Sequence, residues 1–176
     1  VPPTTINPYD FEVMFPGEEP IGGEIINIML VGQDRRPYQN YRTLSDSMIL
    51  CTFNLRDNTL TMTSFMRDMY VQIPGHGGNK MNHAYLLGGM PLLQETMMLN
   101  FGISVDAFVE VDFSGFTKVI DTLGGVEIPL TQREAHYMNT FYWGAGIDNS
   151  NWNLTEGPQI LTGAQALSYS RIRMVP

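Results

Sequence analysis

The chain has 176 residues, of which 43% are hydrophobic and 16% charged, a composition typical of a globular protein with a sizeable core. Ten Lys and Arg residues stand against 18 Asp and Glu, giving a net charge of −8, so we expect no nucleic-acid binding, which needs a basic face. The single cysteine, Cys51, excludes an internal disulfide and a cysteine-rich zinc site. The apolar runs are also far shorter than the roughly 20 residues that span a bilayer.

Residues 1–23 are rich in proline and glycine and predict an extended arm or linker, which leaves residues 24–176 as the folded domain. Apolar periodicity and turn residues predict strands, in chain order, at residues 25–32, 47–55, 59–65, 70–73, 107–113 and 126–130. Helices are predicted at residues 82–87, 91–101, 114–123 and 163–169.

Four details of this pattern can be compared with a structure. The nearly continuous apolar run at 25–32 is typical of a strand buried on both faces. Glycines predict a loop at 75–78 and a break between the first two helices at Gly88-Gly89. Residues 131–153 are expected to be long and irregular. Strands that alternate with helices indicate one layered α/β domain, and the hairpin at 45–65 indicates a mixed sheet.

The hairpin suggests where charged side chains meet. If the chain turns at Asp57, antiparallel pairing puts Asp46 and Arg67 at the same end of two strands. Asp34 and Arg36 lie just beyond the carboxyl end of the first strand, where ligand sites gather in open α/β sheets. Two carboxylates and several arginines suit Mg²⁺ with phosphate groups. The alternative is a pair of surface salt bridges, Asp46 with Arg67 and Asp34 with Arg36.

A second cationic cluster lies at the end of the chain, where Arg171 and Arg173 are separated by one residue. On an extended segment both side chains would point the same way. The alternative is a solvated helix end, where positive charge is favoured anyway. The twelve methionines leave a similar choice between an ordinary core and an adaptable apolar binding surface.

Six segments, in order, resemble motifs of the LytR–CpsA–Psr (LCP) family of cell-wall polymer ligases. The family patterns are G-x-D-x-R, S-D-T-[MI], S-x-P-R-D, K-I-N-x-A-Y, D-x-L-G-G-V and L-x-G-x-x-A-L-x-Y-x-R-x-R. The corresponding segments are Gly32–Arg36, Ser45–Met48, Ser64–Asp68, Lys80–Tyr85, Asp121–Val126 and Leu161–Arg173. Each motif is weak alone, but the ordered set over residues 25–173 is highly specific.

The resemblance implies a single three-layer α/β/α domain with a central mixed sheet. It also implies transfer of a glycopolymer, such as wall teichoic acid or capsule, from a polyprenyl-pyrophosphate carrier to peptidoglycan, assisted by Mg²⁺ or Mn²⁺. The location implied is extracellular, at the outer face of the bacterial cytoplasmic membrane, behind an N-terminal membrane anchor that this chain lacks. Non-catalytic binding of the same polymer and regulation of the cell envelope remain alternatives.

The resemblance assigns roles to residues by motif. Asp34 and Asp46 are expected to hold the metal, and Arg67, Arg171 and Arg173 to grip the pyrophosphate. Weaker candidates for substrate binding are Arg36, Lys80 and Arg42, the last because Leu44 stands where the family often has Arg. The family continues with a D-x-x-R-x-x-R-Q-like segment that the sequence, ending at Pro176, does not reach, so we expect a domain cut short at its C-terminal end.

Overall fold

The computed structural model describes residues 12–14, 24–35, 42–141 and 147–173, the first three through their backbone. These residues form two compact units, one ending at Asp112 and the other beginning at Phe113. The predicted domain boundary at residue 24 stays a prediction. Arg36 and the aromatic residues Tyr142 and Trp143 lie outside the described residues.

The first unit is built on a mixed sheet. Its elements are β1 (Glu12–Met14), β2 (Ile25–Gln33), β3 (Ser45–Asn54), β4 (Thr59–Ser64), β5 (Tyr70–Ile73), β6 (Gly77–Lys80), α1 (Met81–Phe101) and β7 (Ala107–Val111). Five strands pair in the order β1-β7-β2-β3-β4, and β5 pairs with β6 separately. Strands β2 and β7 are parallel and the other neighbours are antiparallel, which confirms the predicted α/β class with a central mixed sheet.

The core of this unit lies between the sheet and α1. Met29 and Met48 of the sheet and Met81 and Met97 of α1 are completely buried in one apolar cluster. For these four methionines the core interpretation is confirmed. Met62 and Met98 are instead about half exposed, at 59% and 49%. Cys51 is buried within β3, and burial raises the pKa of its thiol.

The prediction that the first strand is buried on both faces was wrong. Met29, Val31 and Gln33 of β2 are buried, whereas the residues between them are only partly covered. The buried set includes the two residues that join the core cluster, Met29 and Val31. An apolar run therefore did not mean equal burial on both faces.

Helix α1 contains the predicted break. Gly89 has φ +66° and ψ −152°, which is not helical, and Pro91 follows in the first turn after it. Gly102 ends the helix in the left-handed conformation, as its sequence position suggests. The loop predicted at 75–78 is shorter than expected, because Gly77 and Gly78 already belong to β6. A short hairpin with His76 in its turn replaces the second half of that loop.

The second unit packs three helices with a two-stranded sheet. Its elements are α2 (Phe113–Thr122), β8 (Val126–Leu130), α3 (Gln132–Thr140), β9 (Gly157–Leu161) and α4 (Gly163–Ser170). Strands β8 and β9 pair antiparallel. Leu130, Met138 and Leu161 are buried at the centre of its apolar cluster.

The prediction of an irregular stretch over 131–153 was wrong at its start, where α3 forms. Thr131 Oγ1 accepts a hydrogen bond from the Glu134 amide at 3.2 Å, and the Glu134 carboxylate accepts one from the Thr131 amide at 2.8 Å. These contacts form a capping box, which satisfies the free amides at a helix start. The hydrogen bonds that the Thr131 amide and hydroxyl donate to the Glu134 carboxylate lower its pKa. The signal was present in the sequence as Thr131-x-x-Glu134.

Gly89 allows a direct test of the break in α1. We expect Gly89→Ala to destabilise the protein by about 2–3 kcal/mol, because its backbone conformation is nearly restricted to glycine. The new methyl carbon would also lie 2.7 Å from Arg42 Nη2. Gly102→Ala is the control, since it also has φ +66° but opens onto free space, and it should cost about 1 kcal/mol. Equal losses in urea unfolding would contradict a special constraint at Gly89.

Candidate functional site

The mixed pairing brings several strand ends to one edge of the sheet. Because β2 and β7 are parallel, both end there, while antiparallel β3 begins there and β4 ends there. Asp34 follows the end of β2, Asp46 stands at the start of β3, and Arg67 follows the end of β4. The predicted placement of these three residues at one sheet edge is therefore confirmed.

Asp46 and Arg67 are in direct contact. Arg67 Nη1 donates a hydrogen bond to Asp46 Oδ1 at 2.5 Å, and the two side chains are 46% and 41% exposed. This hydrogen bond is the main cause of the raised pKa of the Arg67 guanidinium. The contact confirms the juxtaposition predicted from the hairpin. It is also the salt bridge that the alternative interpretation predicts.

Asp68 extends this pair into a row of alternating charges. Lys80 Nζ donates to Asp68 Oδ1 at 2.6 Å, and Arg67 Nε lies 3.6 Å from Asp68 Oδ2. The hydrogen bond from Lys80 is the main cause of the lowered pKa of Asp68. The structure thus brings Lys80 to the same group as Arg67. Sequence reasoning gave Asp68 no role, although it lies within the third family motif.

A depression of about 420 Å³ opens beside these charges, lined by residues 46–47 and 64–69. This volume is within the range of small-molecule sites, roughly 300–1,000 Å³. Asp46, Arg67 and Asp68 form its polar side, and Phe65 and Met66 contribute apolar surface. The depression can therefore receive an anionic group next to an apolar one.

A buried polar network lies behind the same sheet edge. Gln33, which is 3% exposed and directly precedes Asp34, donates from Nε2 to Glu110 Oε1. Tyr85, on α1, is buried near the same carboxylate. Burial, strengthened by Glu110, raises the pKa of Tyr85. Sequence reasoning missed this network, and its one visible signal is the acidic Glu110 among the apolar residues of β7.

Two arginines pack against this part of the unit. Arg42 places its guanidinium carbon 5.6 Å from the centre of the Tyr85 ring, a cation–π contact. Arg35 Nη2 lies 3.3 Å from Asp112 Oδ2, just past the end of β7. Arg42, a weak candidate for substrate binding, is thus held on the aromatic ring.

The remaining predicted cations, Arg171 and Arg173, belong to the second unit. Arg171 is the C-cap of α4, with φ −96° and ψ −2°, so the extended arrangement of the two arginines is not formed there. Its guanidinium carbon lies 5.0 Å from the centre of the Phe113 ring. Its buried Nη1 finds no hydrogen-bond partner in the part of the chain that the structure describes. Arg173 Nη1 donates to the Ser170 carbonyl at 3.3 Å.

Two carboxylates at the sheet edge are of the kind that binds Mg²⁺. Across residues 24–35, 42–141 and 147–173 no group of three or more His, Cys, Asp or Glu side chains is arranged to hold a metal ion. Mg²⁺ is nevertheless often held by one or two carboxylates together with substrate phosphates. Asp34 and Asp46 supply two such carboxylates at one sheet edge.

Among the helices that the structure describes, none has both the length and the apolar character to cross a bilayer.

The chain can be assigned to a known protein family. Residues 17–176 match the LytR_cpsA_psr family, and the chain belongs to this family. The resemblance of the six ordered motifs is thereby confirmed.

Individual members of the family can also be compared. The chain is 34% identical over 151 residues to the regulatory protein MsrR of Staphylococcus aureus, covering 86% of this chain and 42% of MsrR. It is 33% identical over 156 residues to the polyisoprenyl-teichoic acid–peptidoglycan teichoic acid transferase TagU of Oceanobacillus iheyensis, covering 85% and 44%. A structure of YwtF (TagT) with bound octaprenyl pyrophosphate lipid has a TM-score of 0.70 and 30% identity, covering 90% and 61%. The chain thus spans less than half the length of MsrR and TagU.

The buried network supports a prediction about stability. We expect Tyr85→Phe to cost about 1–2 kcal/mol, because the buried hydroxyl would no longer interact with the Glu110 carboxylate. Tyr70→Phe is the control, since Tyr70 is 72% exposed, and it should have almost no effect. The raised pKa of Tyr85 contributes stability that is complete below about pH 10 and is lost as the pH rises further. Denaturant unfolding should be measured at pH 7 and above pH 10. The parent protein and Tyr70→Phe should lose this stability at the higher pH, whereas Tyr85→Phe should lose less. An equal loss in both variants would contradict the role of the network.

Proposed function

We propose that this chain is part of a transferase that moves a glycopolymer from a polyprenyl-pyrophosphate carrier to peptidoglycan. The observation that carries the proposal is the Asp46–Arg67 contact at 2.5 Å beside a depression of suitable size. A carboxylate suited to a divalent cation and a guanidinium suited to phosphate stand side by side. The transferase name of TagU and the lipid bound to TagT support the same substrate class.

The reaction we propose is a phosphoryl transfer. A hydroxyl oxygen of peptidoglycan attacks the phosphorus next to the sugar, forming a new P–O bond, and its proton is released to solvent. The P–O bond of the anhydride breaks, and polyprenyl phosphate leaves with the bonding electrons. Negative charge develops on the leaving oxygen and the phosphoryl oxygens, so fixed cationic donors stabilise the transition state more than the ground state.

The residues divide this work by charge. Arg67 and Lys80 would bind phosphate oxygens at the edge of the sheet, and Arg36 and Arg42 are further candidates from the same unit. Arg171 and Arg173 are proposed to bind pyrophosphate because they match the last family motif. Asp34 and Asp46 would hold Mg²⁺, or Mn²⁺ in its place, and the bound ion would neutralise charge on the diphosphate. Work at the outer face of the cytoplasmic membrane, behind a membrane anchor, is part of the same proposal.

MsrR, a relative named as a regulatory protein, keeps a second possibility open. A module that only binds the lipid-linked polymer needs the cations but has no need of metal-dependent turnover. The two functions therefore differ in what the carboxylates do.

The first test concerns Asp34 and Asp46. In the full-length protein, Asp34→Ala and Asp46→Ala should each lower Mg²⁺-dependent turnover of a lipid-linked glycan by about 10²-fold or more, because a bound metal contributes several kcal/mol to such transition states. Asp57→Ala, in the exposed turn between β3 and β4, is the matched control and should behave like the parent. Normal turnover of either site variant at limiting Mg²⁺ would show that these carboxylates do not hold the metal.

The second test concerns Arg67. Lysine keeps the charge but loses the planar two-pronged donor, so Arg67→Lys should lower turnover by about 10²-fold, the scale of losing one fixed donor. Its unfolding free energy should change by only about 0–1 kcal/mol, because the ion pair is half exposed. Arg171→Lys and Arg173→Lys should also lower turnover.

Arg56→Lys is the control for this test. Arg56 lies at the opposite end of the hairpin, 3.9 Å from Glu24 and 73% exposed. The Arg56→Lys variant should retain full turnover. A large loss of stability with normal turnover in Arg67→Lys would mean that Arg67 supports the fold and that the reaction occurs elsewhere.

A further inference from the structure

We infer that Asp68 is a positioning residue, whose carboxylate holds Arg67 and Lys80 together as one fixed pair of cations for a diphosphate. The inference rests on the proposed function, since it concerns how the same site grips its substrate. It goes beyond that function by giving a role to an acidic residue that would otherwise repel the substrate.

The backbone around Asp68 is anchored to the start of α1. The Asn82 amide donates to the Arg67 carbonyl at 3.1 Å, and the Met81 amide donates to the Met69 carbonyl at 2.8 Å. Phe65, just before this segment, is 8% exposed and packs against Phe101 with ring centres 5.3 Å apart. The segment 65–69 is therefore fixed by backbone hydrogen bonds and by one buried aromatic ring.

The side chains need a separate constraint, because Arg and Lys are long and lose rotamer freedom when they are fixed. Asp68 provides this constraint because each of its carboxylate oxygens contacts a different cation. Oδ1 lies 2.6 Å from Lys80 Nζ, and Oδ2 lies 3.6 Å from Arg67 Nε. Within the described ranges, Asp68 is the one acidic partner of Lys80. The other end of the Arg67 guanidinium contacts Asp46. Arg67 is thus held from both sides, and Lys80 is held through Asp68.

A diphosphate presents negative charge on two linked phosphate groups, so two cations at a fixed separation match it better than two mobile ones. Fixing them before binding removes the entropy cost that binding would otherwise carry. The negative charge of Asp68 acts in the opposite direction, because it weakens the attraction for an anion. Positioning and simple electrostatics therefore predict opposite effects of neutralising Asp68.

The experiment uses Asp68→Asn in the full-length protein, with inorganic pyrophosphate as the probe in calorimetry and a polyprenyl-pyrophosphate-linked glycan as the substrate. Asp57→Asn is the matched control, because it removes the same charge at the opposite end of the hairpin. We expect Asp68→Asn to weaken pyrophosphate binding about tenfold and to lower kcat by a similar factor, as misplaced groups do. Asp57→Asn should leave both unchanged.

A third variant tests position apart from charge. Asp68→Glu keeps the carboxylate but moves it by one methylene, so positioning predicts a loss here also. When Asp68→Asn is added to Lys80→Met, it should weaken pyrophosphate binding less than it does in the parent protein, since the two residues act as a unit. Unchanged or tighter pyrophosphate binding by Asp68→Asn would overturn the inference. If the parent protein neither binds pyrophosphate nor turns over the substrate, the proposed function itself fails, which is a different result.

Discussion

The antiparallel pairing of β3 with both β2 and β4 is the constraint on which the charged edge depends. Because each of these neighbours runs in the opposite direction, β2 ends, β3 begins and β4 ends at the same edge. The parallel pairing of β2 with β7 adds the end of β7 to this edge. Asp34, Asp46 and Arg67 are far apart in the chain and share an edge for this topological reason.

Behind the edge, burial divides the polar groups into two kinds. The ion pairs of Arg67 are about half exposed, where such pairs contribute about 0–1 kcal/mol to stability. The Tyr85–Glu110–Gln33 network is largely buried, where an unsatisfied group is costly. The network therefore belongs to the fold and fixes the end of β2, while the ion pairs contribute little to the stability of the fold and serve to hold the cations in place.

How much of the structure could be predicted from the sequence depends on how far apart in the chain the interacting residues lie. The β3–β4 hairpin has a polar turn between apolar strands, so its pairing and the Asp46–Arg67 contact could be inferred from local spacing. The Glu110–Tyr85 contact joins a strand to a distant helix, and no local pattern encodes it. Helix α3 was missed although Thr131 and Glu134 carry a capping signal, because its polar composition resembles a loop. Strand β9 was missed for a related reason, since it begins with Gly157-Pro158, which is typical of a turn.

Asp46 has two tasks in the proposed function, and its chemistry permits both. Its Oδ1 accepts the hydrogen bond from Arg67, and an ionised carboxylate has two oxygens with about four acceptor positions, so a cation can be bound at the same time. The positive charge of Arg67 nevertheless lowers the attraction of Asp46 for a divalent ion. A diphosphate that binds Arg67 offsets that charge and offers its own oxygens to the metal. The cation and the diphosphate should therefore strengthen each other's binding, and by thermodynamic linkage the effect is equal in both directions. Alternating charge at this edge thus favours the complete substrate–metal complex over either component alone.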